Sequence, residues 1–100
     1  MRKIILMCAQ GMSTSVMVKR IREAAKSEGY ECTVNAYAVA QAKTVGADAD
    51  IIILGPQIRF DKEQVISECP DIPVEIIDMA AYGRMDGKKV LEQVKKSLGD

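Results

Sequence analysis

The fold is decided close to the start of the chain, by the stretch Lys3-Ile4-Ile5-Leu6-Met7-Cys8-Ala9-Gln10-Gly11-Met12-Ser13-Thr14-Ser15. From Ile4 to Cys8 it is a short apolar run, which is typical of a strand buried on both faces of a sheet. Residues 14–28 then predict an amphipathic helix, whose apolar face is made of Val16, Met17, Ile21, Ala24 and Ala25. Gly29 follows where a helix-terminating glycine belongs. The chain therefore opens with a strand, a turn of small residues and a helix.

The same alternation of strand and helix continues along the chain. Predicted in order are a strand over residues 31–38, a short helix over 40–47, a strand over 51–54, a helix after Asp61, a strand over 74–77 and a helix marked by Val90, Leu91, Val94 and Leu98. Such alternation predicts an α/β fold with a parallel sheet. We expect a single domain over residues 1–100, built on a four-stranded parallel open sheet with helices on both faces. The pattern leaves the order of the strands open.

The helix after Asp61 carries its own start signals. Asp61 is expected to cap it, and Gln64 to complete a capping box. Phe60 is expected to pack on Val65 as a hydrophobic staple.

Composition narrows the function classes. The chain has 100 residues, of which 48% are hydrophobic, and its fourteen Lys and Arg balance fourteen Asp and Glu, so no strong positive field favours nucleic acid or an anionic membrane. No apolar run is long enough to span a bilayer, and no export leader opens the chain, so we expect a cytoplasmic protein without direct membrane insertion. The absence of histidine excludes Ser-His and Cys-His pairs and a His-liganded metal. No metal and no dissociable cofactor is predicted.

Of the three cysteines, Cys8 has the neighbours that indicate chemistry. It ends the first strand, and ligands of open α/β sheets bind beyond the carboxyl ends of the strands. Loop amides and the positive end of the following helix favour a thiolate and accommodate a phosphoryl group on its sulfur. The predicted phosphate-binding residues follow Cys8 directly: Ala9, Gln10, Gly11, Met12, Ser13, Thr14, Ser15 and Val16. Cys32 and Cys69 lack such a loop, so we expect structural roles for them.

Cysteine-dependent phosphatases offer a comparison for this loop. Their loop runs Cys-x5-Arg-Ser/Thr, and the Arg grips the phosphoryl oxygens through two nitrogens. Here the sixth position after Cys8 is Thr14, so the loop length fits and the Arg is missing. Without that cation the site holds a phosphoryl group but passes it less readily to water, which favours a phosphoryl carrier. A cysteine phosphatase or arsenate-reductase-like enzyme, and a non-catalytic anion-binding module, stay as alternatives.

Three segments of the chain resemble one protein family. These are Ile4 to Ser15, Leu54-Gly55-Pro56-Gln57-Ile58-Arg59-Phe60, and Tyr82-Gly83-Arg84-Met85-Asp86-Gly87-Lys88-Lys89-Val90-Leu91. They are similar to enzyme IIB proteins of the bacterial phosphotransferase sugar-uptake system, in the lactose/cellobiose/chitobiose class. The resemblance covers essentially the whole chain and implies a sheet related to that of low-molecular-weight tyrosine phosphatases.

The resemblance also implies a reaction and two partners. A phosphohistidine on enzyme IIA is expected to phosphorylate Cys8. Cys8 is then expected to phosphorylate a sugar, of the cellobiose or chitobiose type, bound in the membrane-embedded enzyme IIC. The histidine of this scheme belongs to the partner, which fits its absence here.

The residues outside the Cys8 loop give weaker signals. Gln57 or Arg59 leaves the third strand at the same sheet edge as Cys8, and either is a candidate for contact with the phosphoryl group or a partner. For residues 82–87 we expect a role in loop geometry rather than in chemistry. Lys19, Arg20, Arg22 and Lys26 are expected to form a solvated helix face.

Overall fold

A computed structural model of the chain describes residues 1–8 and 12–100, and for residues 12–14 it describes the backbone alone. The strands are β1 (Arg2–Cys8), β2 (Cys32–Ala38), β3 (Ile51–Leu54) and β4 (Val74–Ile76). The helices are α1 (Met12–Glu28), α2 (Ala42–Val45), α3 (Lys62–Glu68), α4 (Met79–Gly83) and α5 (Gly87–Leu98). Two 3₁₀ segments, Val39–Gln41 and Pro56–Asp61, follow β2 and β3.

All four strands run parallel in one sheet, in the order β2-β1-β3-β4. This confirms the predicted fold class and supplies the strand order that the sequence left open. From β1 the chain first moves outward to β2 and then crosses back to β3, so the order reverses between β1 and β3. The crevice beyond the carboxyl ends of these two strands is where open α/β sheets bind ligands.

Helices cover both faces of the sheet because alternate strand residues point to opposite sides. Ile4 and Leu6 belong to a buried cluster with α1 and α5, on what we call the first face. Ile5 and Met7 belong to a second cluster with α2 and α3, on the second face. From Ile4 to Cys8, β1 is therefore apolar because it is buried on both sides.

Helix α1 starts two residues earlier than predicted. It begins at Met12, so part of the predicted phosphate-binding loop is the first turn of a helix. Its buried face also differs, because Val18 is in the core while Val16 is 46% exposed.

The predicted start of α3 is wrong in its side-chain details. The side chain of Asp61 makes no capping hydrogen bond. Phe60 is 80% exposed and its ring lies under the Arg59 guanidinium, 4.5 Å from the ring centroid, so it does not staple onto Val65. A 3₁₀ segment runs directly into α3 and places Phe60 on the outside.

Side chains from the helices cover both edge strands. Arg22 on α1 is exposed, as expected for the solvated face of this helix, and it also donates from Nε to the carbonyl oxygen of Val34 on β2 at 3.0 Å. At the other edge, Gln93 on α5 donates to the Ile76 carbonyl at 2.7 Å and accepts from the Asp78 amide at 3.2 Å. Gln93 thus bonds to the edge of β4 as a neighbouring strand would, which blocks edge-to-edge pairing there.

Candidate functional site at the carboxyl edge of the sheet

Cys8 is the last residue of β1 and lies at the point where the strand order reverses. It pairs with Ala38, the last residue of β2, and β3 ends on its other side at Leu54. The side chain is 5% exposed. A thiol in this position lies in the crevice expected for a ligand.

The amino terminus of α1 lies close to Cys8. Only three residues separate Cys8 from Met12, so the two Cα atoms are within about 14 Å of each other. The first four N–H groups of a helix have no partner inside it and carry partial positive charge. The α1 terminus therefore provides donors suited to an anion near Cys8.

The predicted phosphate-binding residues are described by the structure to different extents. Ala9, Gln10 and Gly11 lie outside the described residues, as do the side chains of Met12, Ser13 and Thr14. The backbones of residues 12–16 form the start of α1, and the side chains of Ser15 and Val16 are exposed.

The other two cysteines lie in places that disfavour a nucleophile. Cys69 is buried on the second face, its Sγ 3.4 Å from the Ala42 carbonyl oxygen, and burial raises the pKa of its thiol. Cys32 is the first residue of β2, at the amino edge of the sheet, and burial raises its pKa as well. Cys8 is the one cysteine of the three at the carboxyl edge.

Gly55 continues β3 beyond its last strand residue. Its N–H donates to the Met7 carbonyl at 3.0 Å, which extends the β1–β3 ladder by one step. A side chain at Gly55 would begin 2.9 Å from Gln57 Oε1 and 3.7 Å from the ring of Tyr82. The carboxamide of Gln57 therefore folds back over the glycine instead of pointing away from the sheet.

Arg59 is held differently from Gln57. Its Nη1 donates to the Pro56 carbonyl at 3.3 Å, and its guanidinium stacks on Phe60. These contacts fix the charge within its own 3₁₀ segment. Of the two candidates named from the sequence, the structure places Gln57 against the end of β3.

Residues 82–87 have a structural role, in agreement with the expectation of loop geometry. Met85 takes a left-handed conformation with φ of 51°, and Asp86 caps α5 by accepting from the Lys89 amide at 3.2 Å. A side chain at Gly87 would start 2.7 Å from Arg20 Cβ and closer still to the carbonyl carbon and oxygen of Arg20. Gly87 is thus the point where α5 approaches the backbone of α1. Helix α4 was not predicted, because five residues give too little periodicity. Asp78 caps this helix by accepting a hydrogen bond from the Ala81 amide at 3.0 Å.

A groove of about 300 Å³ opens beside Gln57, with Pro56, Met79 and Tyr82 in its walls. Met79 is 66% exposed, whereas Tyr82 is buried in the first-face cluster. Within residues 1–8 and 12–100, no group of three His, Cys, Asp or Glu residues is arranged to hold a metal ion. None of the helices in that same part of the chain has the length and apolar character needed to cross a bilayer.

Comparison with known proteins gives consistent matches. The profile of the family described as "PTS system, Lactose/Cellobiose specific IIB subunit" matches residues 3–93. The oligo-beta-mannoside-specific EIIB component of Bacillus subtilis (strain 168) is 44% identical over 95 residues, which cover 93% of this chain and 92% of that protein.

Two solved structures share the fold. The solution structure of a cellobiose-specific phosphotransferase IIB component from Borrelia burgdorferi superimposes with a TM-score of 0.80 at 38% identity, covering 98% of this chain and 92% of the other. The lactose-specific IIB domain from Streptococcus pneumoniae gives a TM-score of 0.85 at 20% identity, covering 96% of each chain. These domains have the fold of low-molecular-weight tyrosine phosphatases, which confirms the predicted relation at the level of fold.

Proposed function

This chain belongs to the lactose/cellobiose-specific IIB family of the sugar phosphotransferase system, whose members transfer phosphoryl groups to sugar, and we propose that it does so through a phosphocysteine at Cys8. The observation that carries this proposal is the position of Cys8. It is the residue at the carboxyl end of the central strand β1, at the switch point of the sheet, with the amino terminus of α1 three residues further on. That is the place where this fold binds anions.

In the first transfer, the Cys8 thiolate attacks the phosphorus of a phosphohistidine on the IIA partner. A sulfur–phosphorus bond forms as the nitrogen–phosphorus bond breaks, and the electron pair stays on the imidazole nitrogen of IIA. Backbone N–H groups at the start of α1, together with those of Ala9, Gln10 and Gly11, hold the phosphoryl oxygens. Ser13 and Thr14 add hydroxyl contacts.

In the second transfer, a hydroxyl group of a sugar bound in the membrane partner IIC attacks the same phosphorus. An oxygen–phosphorus bond forms, the sulfur–phosphorus bond breaks, and the departing thiolate takes up the hydroxyl proton. The chain contains no histidine and needs none, since the donor's imidazole belongs to IIA. Exchange between these partners places the protein in the cytoplasm, at the inner face of the membrane.

The sugar is proposed as a class only. Relatives of this chain are named for oligo-beta-mannoside, cellobiose and galactose, and the family itself for lactose and cellobiose. All of these except galactose, a monosaccharide, are oligosaccharides with β linkages. We propose a β-linked oligosaccharide of the cellobiose or chitobiose type. The sugar site itself lies in IIC, so residues of this chain contact the phosphoryl group and not the rest of the sugar.

Labelling tests the proposal directly. The protein is incubated with IIA that has been phosphorylated with ³²P, digested, and mapped for label by mass spectrometry. Label on the peptide that contains Cys8 is the expected result. Label elsewhere, or release of inorganic phosphate with repeated turnover, would favour the phosphatase alternative or another nucleophile.

A further inference from the structure

The end of β3 lies directly beside Cys8. The bond from the Gly55 N–H to the Met7 carbonyl continues the register in which Met7 pairs with Leu54. The next pair across the two strands is therefore Cys8 and Gly55. Adjacent strands are about 4.8 Å apart, so the Cα atom of Gly55 is an immediate neighbour of that of Cys8.

Cys8 and Gly55 face the same side of the sheet. Leu6 and Ile53 are paired and both belong to the first-face cluster. Two residues further along each strand, the side-chain direction is the same. The ring of Tyr82, another member of that cluster, lies near the side-chain direction of Gly55 and agrees with this assignment.

Gln57 occupies the space that a side chain of Gly55 would fill. Its Oε1 lies 2.9 Å from the position of that missing Cβ. Since cross-strand Cβ positions are about 5 Å apart, the carboxamide lies next to the side-chain direction of Cys8. A carboxamide offers two N–H donors and no charge.

We propose that Gln57 is a phosphoryl-binding residue, which donates a carboxamide N–H to an oxygen of the phosphoryl group on Cys8. The inference rests on the proposed function and deepens it. Gln57 closes the β3 side of the site. A neutral donor orients the group for both transfers without the charge clamp that phosphatases obtain from Arg, so the group stays transferable.

The first test changes the charge and the hydrogen bonding of Gln57 separately. Gln57→Leu keeps the shape and removes the donor, and the rate of Cys8 phosphorylation by ³²P-labelled IIA is expected to fall about tenfold to a hundredfold. Gln57→Glu adds a negative charge beside the phosphoryl group and is expected to lower the rate further. Gln64→Glu, the same substitution at an exposed position on α3, is the matched control and should transfer like the wild type.

The second test moves the carboxamide without changing Gln57. Gly55 has φ of −61° and ψ of 147°, which suits any residue, and among the residues that the structure describes an Ala there conflicts only with the far end of the Gln57 side chain. Gly55→Ala is therefore expected to slow transfer about as much as Gln57→Leu, with the melting temperature unchanged. Because both act through one hydrogen bond, the double variant should be no slower than either single variant.

The outcomes separate this inference from the proposed function. If wild-type Cys8 takes up label while Gln57→Leu and Gln57→Glu transfer at the wild-type rate, the inference is wrong and the function stands. Additive losses in the double variant would also overturn it, since Gly55 would then act independently of Gln57. If the wild type takes up no label on Cys8, the proposed function itself fails.

Discussion

The close approach of α5 to α1 at Gly87 gives a prediction whose size follows from the structure. An added Cβ would meet the backbone of Arg20, and a backbone carbonyl cannot rotate away as a side chain can. Since carbon atoms pack at about 3.5–4.0 Å, the two helices must separate by roughly 1 Å to admit the methyl group. Gly87→Ala is therefore an overpacking substitution at the contact between α1 and α5.

The expected cost is a balance of two effects. Overpacking typically costs about 1–3 kcal/mol, and replacing a helical glycine by alanine returns roughly 0.5–1 kcal/mol. We expect a net loss of about 1.5 kcal/mol, which lowers the melting temperature by roughly 6–12 °C in a domain of this size. Thermal and urea denaturation measure both values.

Gly83→Ala is the matched control, in the same segment of the chain. No atom of the described part of the chain lies within 4 Å of the position of its Cβ, and its φ is not in the left-handed region. It is expected to be neutral or slightly stabilising, by up to about 1 kcal/mol. If Gly87→Ala were as stable as Gly83→Ala, the close contact between α5 and the Arg20 backbone would not exist as described.

The same substitution is expected to reach the candidate site. α1 carries the predicted phosphate-binding backbone at its amino terminus, and a misplacement of about 1 Å can cost a hundredfold in rate. Phosphoryl transfer to Gly87→Ala should therefore be slower even at temperatures where the variant is fully folded. If Gly87→Ala is destabilised but folded and accepts the phosphoryl group at the wild-type rate, then α1 shifts without moving its first turn.

The cysteines, the Tyr30 hydroxyl and the buried face of α5 give three further tests. Cys8→Ser should no longer accept the phosphoryl group, because a serine hydroxyl is scarcely ionised, and its melting temperature should be unchanged. The control variant Cys69→Ser should still accept label, and ³²P on the Cys8→Ser protein would contradict this prediction. Burial, and then the hydrogen bond to Asp100, raise the pKa of Tyr30 to about 12, so its stabilisation is complete below about pH 10 and is lost as the pH rises through 12. Tyr30→Phe, which loses the hydrogen bond to Asp100, should thus be less stable than the wild type in urea near about pH 8. As the pH rises from about 10 through 12, this difference should shrink and then reverse, because an ionised Tyr30 would be partly desolvated beside Asp100, and an unchanged difference there would contradict the assignment. Leu91→Ala removes a fully buried side chain and should cost about 3 kcal/mol in urea denaturation, whereas a loss under about 1 kcal/mol would indicate a loosely packed face.

The fold class was predictable because the apolar residues of a strand indicate directly that the strand is buried. β1 from Ile4 to Cys8 and the whole of β3 are apolar without interruption, and both are buried on two faces, at the centre of the sheet. The order of the strands was not predictable, since it depends on which helix packs on which face. Tertiary contacts of that kind are not encoded in any one segment.

The sequence suggests a candidate nucleophile but not the side chains around it. Cys8 could be proposed because a predicted strand, turn and helix follow one another directly in sequence. Gln57 and Arg59 looked equivalent from the sequence, two residues apart in one segment. They differ because Arg59 finds Pro56 and Phe60 within reach, whereas the missing side chain of Gly55 leaves room for Gln57, and such choices depend on three-dimensional neighbours.

The helix that serves the candidate site is held at two points along its length. Arg22 ties α1 to the outer edge of β2 through the Val34 carbonyl, and Gly87 allows α5 to pack on the backbone of α1 at Arg20. β2 pairs with β1 up to Cys8 itself, so the contact of Arg22 fixes α1 relative to the strand that ends in the candidate nucleophile. A phosphoryl group is transferred fastest when the donors around it need no rearrangement during the reaction. Neither Arg22 nor Gly87 indicates a functional role in the sequence. We expect both to contribute to the candidate site by keeping its backbone N–H donors in place.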